Sequence, residues 1–122
     1  MNSARALTAA GILLVLATAC GAFGAHALKA HLAPERLQLW ETAVRYQFLQ
    51  SLGLIGIGLT MRTLDGAALH LAALLVVIGV VLFCGSLYLL ALGGPRAAGV
   101  LTPLGGLAWI GGWLVFVYAV WR

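Results

Sequence analysis

Four long runs without a charged side chain dominate this sequence and leave few residues outside them. A charged or histidine residue bounds each run at both ends. A hydrocarbon layer about 30 Å thick is crossed by about 20 apolar residues of helix, at roughly 1.5 Å per residue. We therefore predict a membrane protein with four spans, built on the runs Ala6–Ala25, Tyr46–Met61, Gly66–Pro95 and Ala97–Trp121.

The composition excludes a separate soluble domain. Hydrophobic residues make up 63% of the chain and charged residues 8%, whereas soluble domains carry about 25% charged residues. The net charge of +4 does not indicate nucleic-acid binding, because the basic residues are scattered at the ends of the runs. Cations at those positions meet lipid headgroups. We expect the lipid bilayer as partner and no nucleic acid.

The predicted fold is all-α, a single domain over residues 1–122. We expect an integral membrane four-helix up-down bundle with an interfacial amphipathic segment between the first two spans. Ser3, Asp65 and Thr102 are the expected N-caps of the first, third and fourth helices. Pro34 suits the first turn of the second helix. The expected spans are roughly 5–26, 40–61, 67–92 and 103–121.

The segment from His26 to Arg45 is the most polar part of the chain, with three of its seven cations and two of its three acids. Glu41 and Arg45, four residues apart, can pair on a helix surface. Polar amides farther along need partners in lipid, either on a neighbouring helix or in a ligand or ion. The candidate polar cluster comprises His26, Lys29, Glu41, Arg45, Tyr46, Gln47 and Gln50.

Small residues recur at helical spacing in three of the four runs. Such faces let two helices approach closely, because association in lipid depends on van der Waals packing. In the third run Ala72, Gly79, Ser86 and Gly93 follow at seven-residue steps, the period of a left-handed packing seam. The predicted helix-packing residues are Ala17, Gly21, Ala25, Gly79, Ser86, Gly105 and Gly112.

The sequence contains no recognisable catalytic constellation, so we expect no enzyme activity and no cofactor. His26 and His31 are five residues apart, which on a helix places them on different faces, and no second ligand cluster completes a metal site. Cys20 and Cys84 both lie in apolar runs and are expected as buried free thiols. The first run has no acid, which argues against a proton-coupled exporter.

Four ordered motifs resemble the YgdD-type family of small bacterial membrane proteins, whose animal relatives are called transmembrane protein 256. The motifs are Gly21–Lys29, Thr42–Gln47, Gly85–Leu92 and Thr102–Gly106 with Gly111–Trp113. The resemblance implies a four-span protein of the bacterial inner membrane, and it implies no reaction because the family has no established activity. The family pattern places a His where this chain has Gln50, which cannot titrate.

Three functional hypotheses remain open. The first is an accessory or organising helix-bundle subunit of a membrane assembly, in contact with another membrane protein or with copies of itself. The second is a self-associating conduit for an ion or small solute, lined by His26, Lys29 and the Gln47–Ser51 edge. The third is lipid-headgroup binding by Lys29, Arg36 and Arg45.

In a four-span bundle both termini lie on one side of the membrane. That side carries three basic residues and the opposite side carries four, which favours termini on the periplasmic side.

Overall fold

The computed structural model describes residues 1–122, and every regular element in it is helical. The chain forms four long helical segments joined by short turns. The third segment is continuous but changes its winding at residues 80–84, where a π-helical turn joins α3 to α4. The elements are α1 (Ser3–His26), a 3-10 turn (Leu28–Ala30), α2 (Pro34–Thr60), α3 (Ala67–Gly79), the π-helical turn (Val80–Cys84), α4 (Gly85–Ala91), a second 3-10 turn (Arg96–Val100) and α5 (Leu101–Trp121).

The helix starts differ in part from the sequence prediction. Asn2, not Ser3, caps α1, because its side chain accepts a hydrogen bond from the Arg5 amide. The Ser3 hydroxyl instead donates to the Gly58 carbonyl on α2, at 2.8 Å. Pro34 is the first residue of α2, as predicted. A hydroxyl near a helix start can therefore serve a neighbouring helix instead of its own.

The starts of α3 and α5 also differ from the prediction. Gly66, with φ +149°, precedes α3, so Asp65 is not the N-cap. Only glycine adopts that conformation without strain, which lets the chain turn sharply into the helix. α5 begins at Leu101, one residue before the predicted cap, and the Thr102 hydroxyl bonds to Ser86 on α4.

Neighbouring helices run antiparallel. Ser3 of α1 lies beside Gly58 of α2 at one end, and Cys20 lies beside Trp40 at the other. In the second pair, Gly112 of α5 lies against Ala72 of α3, while Thr102 bonds to Ser86. The turns are too short for any other arrangement.

Contacts between side chains and turns define the two ends of the molecule. The Arg122 guanidinium lies against Gly66, so the C-terminus meets the turn between α2 and α3. The Ser3 contact with Gly58 brings the N-terminus to the same end. The Arg36 guanidinium lies against Gly93, so the start of α2 meets the turn after α4. The connections therefore alternate between the two ends.

Three helical segments are long and apolar enough to cross a membrane, namely Ser3–Ala30, Ala67–Ala91 and Arg96–Trp121. The second predicted span, on α2, does not meet the same criterion. α2 is the central helix and packs against α1, α3, the π-helical turn and α4. Because α2 packs against several helical segments, it can carry polar side chains on its inner side that a lipid-facing surface would leave unpartnered.

Candidate functional site

Gln47 lies at the centre of the molecule and joins three helical segments through one amide. Only 3% of the residue is exposed. Its Nε2 donates to the Leu13 carbonyl on α1 at 2.8 Å, and its Oε1 accepts from the Tyr88 hydroxyl on α4 at 2.7 Å. A buried amide in an apolar interior is stable only with such partners. Gln47 therefore fixes α1, α2 and α4 relative to one another.

A groove of about 290 Å³ runs beside this amide, between α1 and the π-helical turn. Gln47 and Tyr88 supply its polar groups, and both cysteines, which are free thiols, line it. π-Helical turns are rare and recur at functional sites. The lining of this groove includes neither a carboxylate nor an imidazole. Its polar groups are the Gln47 amide, the Tyr88 hydroxyl and the two thiols.

Gln50 and Tyr46 face α5, whereas Gln47 bonds to α1 and α4. The Gln50 Oε1 accepts a hydrogen bond from the Trp113 indole at 2.9 Å. The Tyr46 ring stacks on Trp109 with centroids 5.8 Å apart, and it also contacts Phe83. Both residues therefore hold α2 against the second helix pair.

Ser51, on the same helix as Gln47, is fully buried and its hydroxyl has no hydrogen-bond partner. It lines none of the grooves found in the structure. The polar edge that the sequence predicts on α2 is therefore divided among separate contacts. Its members do not share one cavity.

The charged members of the predicted cluster lie apart from the glutamines. His26, Lys29, Glu41 and Arg45 are all exposed. Glu41 and Arg45 line a cleft between the end of α1 and the start of α2. The ion pair expected between them is not formed, and neither makes a side-chain hydrogen bond. A surface pair gains little free energy to offset the side-chain entropy it loses.

The inner face of α1 is lined by small residues, but its register differs from the one predicted. Ala17 is buried and Gly21 contacts Val44, whereas Ala25 is exposed. Gly24 takes the buried position, directly against the Trp40 indole, which donates to the Cys20 carbonyl. Sequence reasoning missed Ala6, Ala10 and Gly24. The signal was present, because Ala10, Ala17 and Gly24 follow at seven-residue steps.

Glycines permit the closest approach between α3 and α5. A β-carbon at Gly79 would collide with the Trp109 ring, whose indole N–H donates to the Val76 carbonyl at 3.1 Å. Gly105 lies against the backbone at Phe83, and Gly112 lies against Leu75. Ser86 is buried with its hydroxyl on Thr102. Gly93 lies beyond the helix in the turn, with φ +91°.

The outward surface of α1 exposes Ile12 and Leu16 and also carries a second row of residues, all of them small except Val15. We call this surface the outer face of α1. It comprises Thr8, Gly11, Val15, Thr18 and Ala22, all of them exposed and spaced three or four residues apart. Leu14, Val15, Thr18, Ala19 and Ala22 form a shallow groove of about 480 Å³ along it. A β-carbon at Gly11 would meet no atom within 4 Å.

The outward surface of α5 is made of large residues instead. We define the outer face of α5 as Leu104, Leu107, Ile110, Leu114 and Val117, each of which is exposed by about half or more. Large aliphatic side chains suit contact with lipid tails. The structure thus shows two outer faces of different composition.

Together, the apolar helices, the short turns and the internally satisfied amides define a helical, multi-pass type of membrane protein. The family described as "Protein of unknown function (DUF423)" matches residues 20–106. The chain belongs to this family, which confirms the resemblance seen in its motifs. No three His, Cys, Asp or Glu residues lie together in the structure.

Similar proteins carry the same description. A UPF0382 membrane protein of Staphylococcus haemolyticus is 42% identical over 88% of this chain and 88% of its own length. The UPF0382 membrane protein YwdK of Bacillus subtilis is 40% identical over 86% of each. The UPF0382 inner membrane protein YgdD of Escherichia coli is 31% identical over 100% of this chain and 93% of its own length. No solved structure matches the chain.

Proposed function

We propose that all four helical segments cross the bacterial inner membrane as an up-down bundle. Whether α2 crosses the membrane needs a separate argument, because α2 carries polar residues. It lies antiparallel to α1 along nearly the whole length of both, from the Ser3–Gly58 contact to the Cys20–Trp40 contact. If α1 crosses the hydrocarbon layer, α2 crosses it alongside. Its interfacial start, from Pro34 to Trp40, is amphipathic in sequence.

For the function, we infer that the protein is a non-enzymatic accessory or organising subunit that docks onto another membrane protein. The observation that carries this inference is the outer face of α1. Lipid tails are as apolar as any side chain, so they give no reason to expose Gly, Ala and Thr along a helix. A second helix gains close backbone contact there. The docking partner is therefore a transmembrane helix.

The test compares a glycine on α1 with a glycine on α5. Gly11 lies on the outer face of α1, and Gly106 lies on α5, and a β-carbon at either would meet no atom within 4 Å. Gly11→Leu and Gly106→Leu therefore add the same side chain at positions where the β-carbon itself causes no collision. We expect Gly11→Leu to remove at least 90% of a partner cross-linked in native membranes. Gly106→Leu should leave the cross-link unchanged.

Native mass spectrometry of the protein from its own membrane then identifies the molecule that binds the outer face of α1. A mass that contains a different polypeptide supports the accessory role. A small multiple of 12.7 kDa would instead mean that the outer face of α1 binds a second copy. If Gly11→Leu keeps every association, the proposed docking face is wrong.

The conduit hypothesis receives less support from the contacts. A lining needs polar groups free to replace the hydration of a solute. Both ends of the Gln47 amide already bond within the protein, and Gln50 accepts from Trp113. A conduit would have to form between copies. Liposome flux through the wild type that Gln50→Leu abolishes would revive this alternative.

For the orientation, we propose termini on the periplasmic side. The end of the molecule that holds both termini carries Arg5, Arg62 and Arg122, while the other end carries Lys29, Arg36, Arg45 and Arg96. Loops rich in Lys and Arg stay in the cytoplasm. A periplasm-dependent phosphatase fused to the C-terminus should be active. Activity of a fusion within the 94–99 turn would contradict this orientation.

A further inference from the structure

A cleft of about 210 Å³ opens where α1 ends and α2 begins. Glycine creates the space on the α1 side, because Gly21 and Gly24 present no side chain to α2. The Trp40 indole closes the inner wall against Gly24. Glu41 and Arg45 supply the only charged groups of the lining. The cleft therefore combines an apolar wall with one acid and one base.

The two charges in this cleft form no ion pair with each other. Both residues are exposed, and four residues of helix separate their backbones by about 6 Å. Since no ion pair joins them, each charge is free to bind a group of opposite sign. No other groove in the structure is lined by both a carboxylate and a Lys or Arg side chain.

In the proposed membrane arrangement, the cleft would lie where headgroups meet acyl chains. His26 ends α1 two residues after Gly24, and the 3-10 turn with Lys29 follows. Trp40, a residue typical of the membrane interface, lines it. A molecule bound here would have its charged part beside Glu41 and Arg45 and its apolar part along the bilayer side of α1 and α2.

We propose that this cleft binds a phospholipid whose headgroup carries a primary ammonium, such as phosphatidylethanolamine. The Arg45 guanidinium donates hydrogen bonds to the phosphate, and the Glu41 carboxylate accepts them from the ammonium. In this headgroup two methylene groups separate the phosphate oxygen from the ammonium. An anionic headgroup without an amine would be repelled by Glu41. A quaternary ammonium has no N–H to donate to it.

The test measures lipid retention by native mass spectrometry of the full chain reconstituted with equal amounts of phosphatidylethanolamine, phosphatidylcholine and phosphatidylglycerol. We expect the wild type to retain the ethanolamine lipid about fivefold over each of the others, the factor that about 1 kcal/mol of interaction gives. Glu41→Gln should abolish this preference. Arg45→Gln should reduce retention of both the ethanolamine and the glycerol lipids.

Asp65→Asn and Arg62→Gln provide matched controls, because they remove the same charges from exposed positions at the other end of the molecule. Both should keep the fivefold preference. Circular dichroism verifies that each variant retains its helical content. The proposal would be overturned if the wild type retained phosphatidylglycerol best and if Arg62→Gln reduced that retention as much as Arg45→Gln. General charge attraction would then explain the binding.

A further arm separates a lipid from a free headgroup. Glycerophosphoethanolamine carries the same ammonium and phosphate without acyl chains. We expect a hundredfold excess of it to leave the bound lipid in place, because the chains hold the lipid against α1 and α2. Displacement by this soluble compound would show that the cleft binds a soluble zwitterion, and the lipid proposal would then be wrong.

Discussion

The helices α1 and α5 both lie at the edge of the packed molecule, yet their outer faces differ. In the most apolar stretch of each, only 17% of the residues are buried, against 39% for Ala67–Ala91. α5 turns Gly105 and Gly112 inward and its large aliphatic residues outward. α1 has small residues on both sides, with Ala10 and Ala17 inside and Gly11 and Thr18 outside.

This difference separates two uses of small residues in a membrane. On α5 two glycines are explained by the contacts they permit, since Gly105 meets Phe83 and Gly112 meets Leu75. On the outer face of α1 no contact within the protein explains them. Because lipid gives no advantage to a small side chain, the outer face of α1 supports the proposed docking partner. The large residues on the outer face of α5 suit contact with lipid tails.

The largest loss of stability should come from adding a side chain at an inward-facing glycine on α5. Gly105→Leu would place a side chain against the Phe83 backbone and the Gly79 carbonyl. We expect a loss of about 3 kcal/mol or more, because neither helix backbone can move aside. At Gly106, one residue away, the β-carbon of the same substitution would meet no atom within 4 Å. Steric trapping in bicelles measures both, and equal stability of the two variants would contradict the contact.

The sequence predicted the helices well and their packing register less well. Charged boundaries identified the four segments, and the Pro34 start was confirmed. The register on α1 was wrong at Ala25 because Gly21 and Ala25 also fit a four-residue repeat, and only the position of the Trp40 ring selects Gly24. Local capping rules failed at Ser3 and Thr102 because each hydroxyl bonds to a different helix.

The sequence identified the polar residues of the candidate site, but it did not predict their hydrogen-bond partners. The need of Gln47 and Gln50 for partners follows from their location in apolar runs. Their actual partners, Tyr88 and Trp113, are 41 and 63 residues away in sequence. Spacing along one helix cannot reveal such distant pairs. The π-helical turn at Val80–Cys84 has no sequence signal that we used.

A smaller loss of stability should follow from removing the Gln47 amide, which links α1 to the interior. Gln47→Leu removes two hydrogen bonds and leaves the Tyr88 hydroxyl without its partner. We expect a loss of about 1–2 kcal/mol in unfolding free energy. Gln50→Leu removes one bond, to Trp113 at a half-buried position, and should lose about 0.5 kcal/mol.

The same steric-trapping assay orders these two variants. A larger loss for Gln50→Leu would mean that the contact of α2 with α5 matters more than its contact with α1. The inner face of α1 would then be weakly held, and the two-sided character of α1 would need a different explanation. Tyr88→Phe supplies the control for Gln47, because it removes only one of the two bonds.

The smallest effect should follow from substitutions on the outer face of α5. Leu107 and Leu114 are 62% and 65% exposed, so alanine at both positions removes contacts with lipid tails alone. We expect the unfolding free energy to stay within about 0.5 kcal/mol and partner cross-linking to remain at the wild-type level. A loss of cross-linking equal to that of Gly11→Leu would mean that α5 also contacts the partner. In that case large residues would mark a docking face as well as small ones, and residue size could no longer distinguish the lipid-facing side from the partner-facing side.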